Sequence, residues 1–412
     1  MSNSFTKEER IAFDDILMGF NDALTISKNV SKYGTKGELM ERTNDTIYRP
    51  MPYIMNSQDR TVGSAVTAMD ATQLKVPATL GYKKNVTWNL NALELRDQLN
   101  EGRLGKSAYQ RLASDLNTSV RDVVSLEGTL VVPVTGAAGD YDDVALAESL
   151  MLEQGLDGDR CMALTARDYN GLAGDLSKAS RSFGNSKSDD AYERSHVGMI
   201  AGFDTLKIDG GKRIAAAAGS SLTVATNGAQ VQYAPTATAD NRYQAVTFSS
   251  TTGMVAGDSF TIAGIEAVHH ITKESTGQLK TFRVISVDSG TVATISPAIV
   301  GANSTPTDAE IQYKNVEVAS TSATAAVVFL NANASAANPF WTKESIEILP
   351  GRYAIPDGQG VDVMRGVTDQ GIEVVMGKSF SNSTFVSSYT LDLFYGVVNC
   401  NPEHNGIVLF GQ

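Results

Sequence analysis

The chain has 412 residues and carries 34 Lys+Arg against 46 Asp+Glu, a formal net charge of −12. With 19% charged and 42% hydrophobic residues it is neither a disordered polyampholyte nor a basic protein that coats nucleic acid. At roughly 100 to 200 residues per domain, the length allows two to four units.

Met1 to Arg10 is polar and charged and does not read as a secretory leader. No stretch approaches the roughly 18 apolar residues of a membrane-spanning helix, so a soluble chain with no membrane partner is expected. Cys161 and Cys400 lie outside any C-x-x-C pair and read as small buried residues in a reducing compartment.

Thr6-Lys7-Glu8-Glu9 reads as a capping box ahead of an apolar stripe at Phe13, Ile16, Leu17, Phe20 and Leu24, which predicts an amphipathic helix. Its opposite face carries Asp14, Asp15 and Asp22. A terminal helix that cannot bury its stripe alone is expected to dock on something. From Tyr33 to Tyr82, Pro50, Pro52 and Pro77 exclude a continuous helix and predict an extended two-stranded arm with its tip near Val62 to Ala71. Helical spacing returns after Trp88, in Leu90 to Asn100 and then at Tyr109, Leu112, Leu116, Val120 and Val123. One long helix ending near Gly128 is expected, weakened at Gly102 and Gly105. Thr129 to Val134 reads as a strand, Asp143 as the cap of a helix through Leu156, and Cys161 to Leu164 as another strand.

Composition shifts after Lys212 and Arg213. From Ala215 to Pro339 charges are few, Thr, Ser, Val, Ala and Gly abound, and the apolar period changes to alternation. Ala245 to Ser249, Ser259 to Ala263, Thr281 to Val287 and Thr291 to Ser296 are strand candidates, with a turn at Asp288-Ser289-Gly290. This predicts a compact all-β barrel or sandwich inserted into one α+β domain. The α+β text resumes at Phe340, with strands Ser345 to Leu349, Ile372 to Met376 and Tyr389 to Val397.

The residue patterns that suggest chemistry do not assemble into a site. Gly102 to Ser107 resembles the end of a phosphate-binding loop, but only two residues separate its glycines where four are needed, and helix rather than strand precedes it. His196, His269, His270 and His404 are scattered, with no pair at helical i, i+4 spacing. There is no G-x-S-x-G elbow. Asp142-Asp143 and Asp189-Asp190 read as a helix cap and a solvated loop. Lys83 and Lys84 beside Tyr82 and Trp88 are too few charges to hold a phosphate backbone against the overall negative sign, and read as structural contacts. No enzyme activity, cofactor or metal is expected.

The layout, together with several stretches of text, resembles tailed-bacteriophage major capsid proteins of the Hong Kong ninety-seven fold, and more narrowly the coat proteins of short-tailed phages of the P-twenty-two type. The matching text is Ile200-Ala-Gly-Phe-Asp204, Asp240-Asn-Arg-Tyr243, Thr251-Thr-Gly-Met254, Gly257-Asp258, Phe282-Arg-Val284 with Val287-Asp288, Tyr313 with Asn315-Val316, Phe340-Trp341 and Phe394-Tyr-Gly-Val397. The resemblance implies an N-terminal helical arm at residues 1–32, an extended loop overlapping a neighbouring subunit at 33–86 and a spine helix of the peripheral domain at 87–129. It further implies an axial domain at 130–218 and 340–377, an inserted β-barrel at 219–339, and C-terminal strands at 378–412 returning to the peripheral domain. It implies hexamers and pentamers of the chain in an icosahedral shell of the virion, assembled in the bacterial cytoplasm as a procapsid on a scaffolding protein. Expansion would follow as double-stranded DNA enters through a portal. In that family the scaffolding protein docks a basic helical tail near the N-terminal arm, so Asp14 and Asp15 are the scaffold-contact candidates. The long charged loop that bridges capsomers in the family has no counterpart in Gln230 to Ala239, which leaves backbone or apolar contacts, or Lys273 to Lys280, to serve. Nothing in the text supports the lysine to asparagine cross-linking of one branch of the fold. Competing readings are a cargo-enclosing nanocompartment shell and a β-rich phage tail or adhesin protein, which the long central helix opposes.

Overall fold

A computed structural model describes residues 5, 7–34, 46–91 apart from 56, 58, 59, 61, 64, 66 and 67, then 98–178, 186–225, 240, 242–301, 306–318, 324–355 and 362–411. The chain divides into two compact units, one of Met1–Ile47, Ala78–Arg121 and Ile346–Val398, the other of Tyr48–Pro77, Asp122–Ser345 and Asn399–Gln412.

In the first unit, helix α1 (Lys7–Ala23) buries the predicted stripe, with Phe13, Ile16, Phe20 and Leu24 all under 10% exposed. At about 1.5–3 kcal/mol per large apolar side chain, this seats the helix firmly on its own subunit. Part of the seat is helix α2 (Gln98–Glu127), which passes Gly105 without a break because that glycine is a contact: a Cβ there would lie 2.9 Å from Ile16 Cδ1. The expected capping residue Thr6 lies outside the described residues. Glu9, expected to close that box, is instead buried and accepts hydrogen bonds from Lys378 Nζ and from Tyr389 OH at 2.9 Å.

The sheet of this unit runs Ser31–Lys32, Ile346–Pro350, Val386–Asn399, Glu373–Ser381, Asp362–Val367, with Tyr82–Asn91 also paired to Val386–Asn399. Tyr82–Asn91 corrects the expectation that helix begins near Leu90 and that the spine starts at 87. Val86, Trp88 and Leu90 alternate with Asn85, Thr87, Asn89 and Asn91, a period of two that the strand's alternating burial follows. Residues 92–97, expected to be helical, lie outside the described residues.

In the second unit, a sheet runs Leu130–Val134, Asn405–Phe410, Ser335–Thr342, Arg160–Thr165, Phe203–Ile208, Met199–Ile200, with Lys212–Ile214 paired to Ser335–Thr342. Helices α3 (Tyr141–Glu153) and α4 (Ala166–Lys178) pack on it around a core that includes Met162, Phe203, Phe340 and Val408. Asp140, not Asp143, is the N-cap of α3, and Asp143 at N3 accepts from Gly139 N at 3.3 Å. The pair Asp189-Asp190, expected in a loop, lies exposed on helix α5 (Ser186–Arg194). The closing strand Asn405–Phe410 does not stay with the other C-terminal strands as expected. It pairs in parallel with Leu130–Val134, where Gly406 can meet Leu130 because a Cβ would lie 2.1 Å from the Leu130 carbonyl oxygen.

The alternating segment forms the β-module. Its strands follow the path Thr223–Ala225, Thr324–Phe329, Ser259–Val268, Ser275–Val287, Val292–Ser296, Gln244–Thr247, with Val316–Val318 added to Ser259–Val268. A bridge between Val224 and Phe248 joins the two ends of that path, so the sheet nearly closes into a barrel. Its core, centred on Phe248, Phe260, Phe282, Ile262 and Ile295, draws among the described residues on those from Leu222 to Phe329. The short helix α6 (Asp308–Tyr313), held by a Thr307–Glu310 capping box, lies between two of these strands in sequence.

Candidate functional site

The acidic face of α1 is presented outward because its apolar face is occupied. Asp14 and Asp15 are exposed, flanked by Ile11 at 53% and Met18 at 67% exposure. A cleft of about 480 Å³ separates α1 from the strand Asp362–Val367, with Phe13, Leu17 and Met364 as apolar wall and Arg10, Asp14 and Arg365 as charged groups. The cleft lining, with two arginines to one aspartate, is net positive, so the negative charge of this surface lies on the outer face of α1 at Asp14 and Asp15.

A second centre lies at the C-terminal end of α2, within the second unit. That helix has no basic residue in its last turn and carries Glu127 there, opposite in sign to what its dipole favours. The β-module supplies the missing positive charge. Arg283, fully buried, donates from Nη2 to the Ser125 carbonyl, and burial pulls its guanidinium down to about 10 with Asp258 opposing. Arg242 forks onto Asp240, Nε to Oδ1 at 2.9 Å and Nη2 to Oδ2 at 2.7 Å, and its Nη1 donates to the Asn399 carbonyl at 2.8 Å. Burial raises the Glu127 carboxyl above its ordinary value, while the charge of Arg242 works against it. Two of the stretches that carried the family resemblance, Asp240 to Tyr243 and Phe282 to Val284, thus supply the arginines that meet this helix end.

Next to it, Lys280 of the module, only 2% exposed, pairs with Glu403 at 2.6 Å. Burial pushes the Glu403 carboxyl up, but the charge and hydrogen bond of Lys280, with His270 and Lys273, hold it below the ordinary value. His270 and His404, far apart in sequence, face each other edge to face with ring centroids 5.3 Å apart. Burial first, and nearby Lys273 or the partner histidine next, pulls each imidazole down to about 4, so both are neutral at pH 7. Nothing in the spacing of the histidines signalled this pair. Lys273 is pulled down to about 8 by burial and its Nζ donates to the Lys314 carbonyl at 3.1 Å, while Glu274, Gln278 and Leu279, between the two lysines, are exposed.

The other sequence candidates resolve into structure. Lys106 and Ser107 stand exposed within α2 rather than in a loop. Tyr82 stacks on Tyr395 at 5.2 Å and Trp88 on Tyr389 at 5.8 Å, which commits both aromatics to packing. His269 Nδ1 accepts from Thr272 N at 3.2 Å in its own turn. Cys161 is buried, and burial pushes its thiol up to about 11. Among the described residues no three His, Cys, Asp or Glu side chains could hold a metal, and no helix is long and apolar enough to cross a membrane. The segment Gln230 to Ala239 lies outside the described residues.

The class of the protein is the phage major capsid proteins, on the match of a family model over nearly the whole chain. The family described as P22 coat protein, gene protein 5, matches residues 1–411, and the chain belongs to that family. Its mixed helix and sheet fold, with an inserted β-module whose sheet nearly closes, is of the α+β class expected from the sequence. Among solved structures it is similar to the asymmetric unit of the bacteriophage PhiM1 mature capsid, at 10% identity over 94% of this chain and 87% of that one, with a TM-score of 0.46. It is similar to the virus-like particle from Pyrococcus furiosus at 8% identity over 98% and 100%, TM-score 0.42. The CUS-3 coat protein I-domain matches at 40% identity over 27% of this chain and 99% of that one, TM-score 0.21.

Proposed function

We propose that this capsid subunit assembles, in the bacterial cytoplasm, on a scaffolding protein into a procapsid that matures as double-stranded DNA is packaged through a portal. The supporting observation is the outward acidic face of α1: with its apolar stripe buried in its own subunit, Asp14 and Asp15 remain open to a basic partner. The net charge of −12 fits a lining that encloses DNA without gripping its phosphates. The spans proposed for the arm, loop and axial regions are those read from the sequence, while the spine helix is taken as Gln98–Glu127 and the closing strand Asn405–Phe410 goes with Leu130–Val134.

Asp14→Ala is expected to slow scaffold-dependent assembly at low salt, by the several-fold that an exposed ion pair of about 0.5–1 kcal/mol provides, and to matter little at high salt. Light scattering of assembly at the two salts reads this. Wild-type kinetics for the variant at both would remove the aspartate from the interaction.

The inserted barrel, expected at 219–339, is proposed to fold by itself over about Gly219 to Leu330, since Ser335–Thr342 pairs with Asn405–Phe410 and Arg160–Thr165 and, among the described residues, the barrel core lies between Leu222 and Phe329. A dispersed amide spectrum from that fragment is the expected result. A collapsed spectrum would move the boundary.

A further inference from the structure

Between the arm and the β-module, both in the second unit, hydrogen bonds follow the period of a strand although no strand is there to make them. The arm's strands Thr46–Pro50 and Lys75–Thr79 pair, and beyond them Val62 is 98% exposed beside Gly63 at φ +94°, which puts a turn within the predicted tip. On the returning side, Asp70 N donates to Asp308 Oδ2 at 2.8 Å, Thr72 N to Gln312 Oε1 at 3.0 Å and Leu74 N to Tyr313 OH at 2.9 Å. These three amides are spaced by two, so they lie along one edge of an extended segment. The reverse bonds are also made. Gln312 Nε2 donates to the Asp70 carbonyl at 2.6 Å and Tyr313 OH to the Thr72 carbonyl at 3.0 Å. The Gln312 amide thus stands in for the peptide group of a neighbouring strand, accepting from Thr72 N and donating to Asp70 O.

The receiving side is built for the purpose. Gln312 is fully buried, Tyr313 is 7% exposed with its ring 6.0 Å from that of Tyr53, and the Thr307–Glu310 capping box fixes the helix that carries them. Leu74, at 0% exposure, is the apolar anchor of the segment.

We propose that α6 is a receptor for the extended arm of its own chain, and that seating residues 70–74 there sets the course of the arm before the subunit meets its neighbours. The proposal rests on the reading of residues 33–86 as a loop that overlaps a neighbouring subunit. It gives the inserted module a part in assembly through its own chain, with no bridge between capsomers. Because the arm is held largely by its backbone, only Leu74 of this stretch is buried, and Asp70 to Gln73 keep exposed or half-exposed side chains.

The test is hydrogen exchange on the unassembled full-length subunit, followed by assembly of the same samples. In the wild type the amides of Thr72 and Leu74 should be protected. Gln312→Ala should accelerate exchange at Thr72, and Tyr313→Phe at Leu74, each by about tenfold or more, while Phe260 and Phe282 in the module core stay as protected as before. Both variants should then assemble more slowly or into irregular shells. Unprotected Thr72 and Leu74 amides in the wild type would overturn the seat itself. Accelerated exchange with wild-type assembly would overturn its role in setting the arm. Protected amides in a wild-type chain that forms no shells would instead strike the assembly reading beneath the proposal, and the proposal with it.

Discussion

Lys280→Met is expected to lower the stability of the subunit by about 3–5 kcal/mol, far more than loss of an exposed ion pair, because it leaves the Glu403 carboxylate without its partner in a desolvated joint. Lys280 is 2% exposed, and its 2.6 Å bond to Glu403 connects the β-module to the turn at Pro402–His404 that leads into the closing strand of the second unit. The double variant Lys280→Met with Glu403→Gln should recover much of the loss, since it removes the stranded charge along with the pair. Urea unfolding of the three proteins measures this. A loss below about 1 kcal/mol for the single variant would mean that the joint is open to water and behaves like a surface pair.

Acid should loosen the same joint. His270 and His404 titrate near 4 in the folded chain against about 6.5 in an unfolded one. Between those values the unfolded chain binds the additional protons, so the stability these two neutral histidines contribute falls as pH falls through that window, and the loss is complete below about 4. The shift corresponds to a loss on the order of 3 kcal/mol per histidine. The groups facing the pair reinforce the sign: Lys273 and Lys280 repel a new positive charge and only Glu403 attracts it. Glu127 and Asp392, whose carboxyls burial raises, work in the opposite direction, gaining stability as pH falls. The comparison that isolates the histidines is therefore wild type against His270→Gln with His404→Gln, followed by urea unfolding from pH 7 to 4. The wild type should show the steeper decline, and parallel curves would remove the pair from the acid response.

The elements that sequence made legible are those whose apolar period runs unbroken. The stripe of α1, the helix through Leu112 and Leu116, and the barrel strands around Phe260 and Phe282 all lie where their spacing puts them. The strand Tyr82–Asn91 extends past Leu90, where the sequence predicts helix, because the pairing with Val386–Asn399 that selects the extended form comes from about 300 residues away. The exposure of Asp14 and Asp15 was legible because charge opposite the apolar stripe of an amphipathic helix is a local pattern. The joint at the end of α2 was not, since Arg242, Lys280, Arg283, Glu403 and the two histidines converge from separate segments. The low charge of the inserted module also concealed something: three of its few basic groups, Arg242, Lys280 and Arg283, are among its buried residues and attach it to the rest of its unit.

Electron microscopy of the chain expressed with and without a scaffolding partner tests most directly that this is a self-assembling capsid subunit. Closed shells, made more regular by the scaffolding protein, are the predicted result. Monomers under both conditions would contradict it.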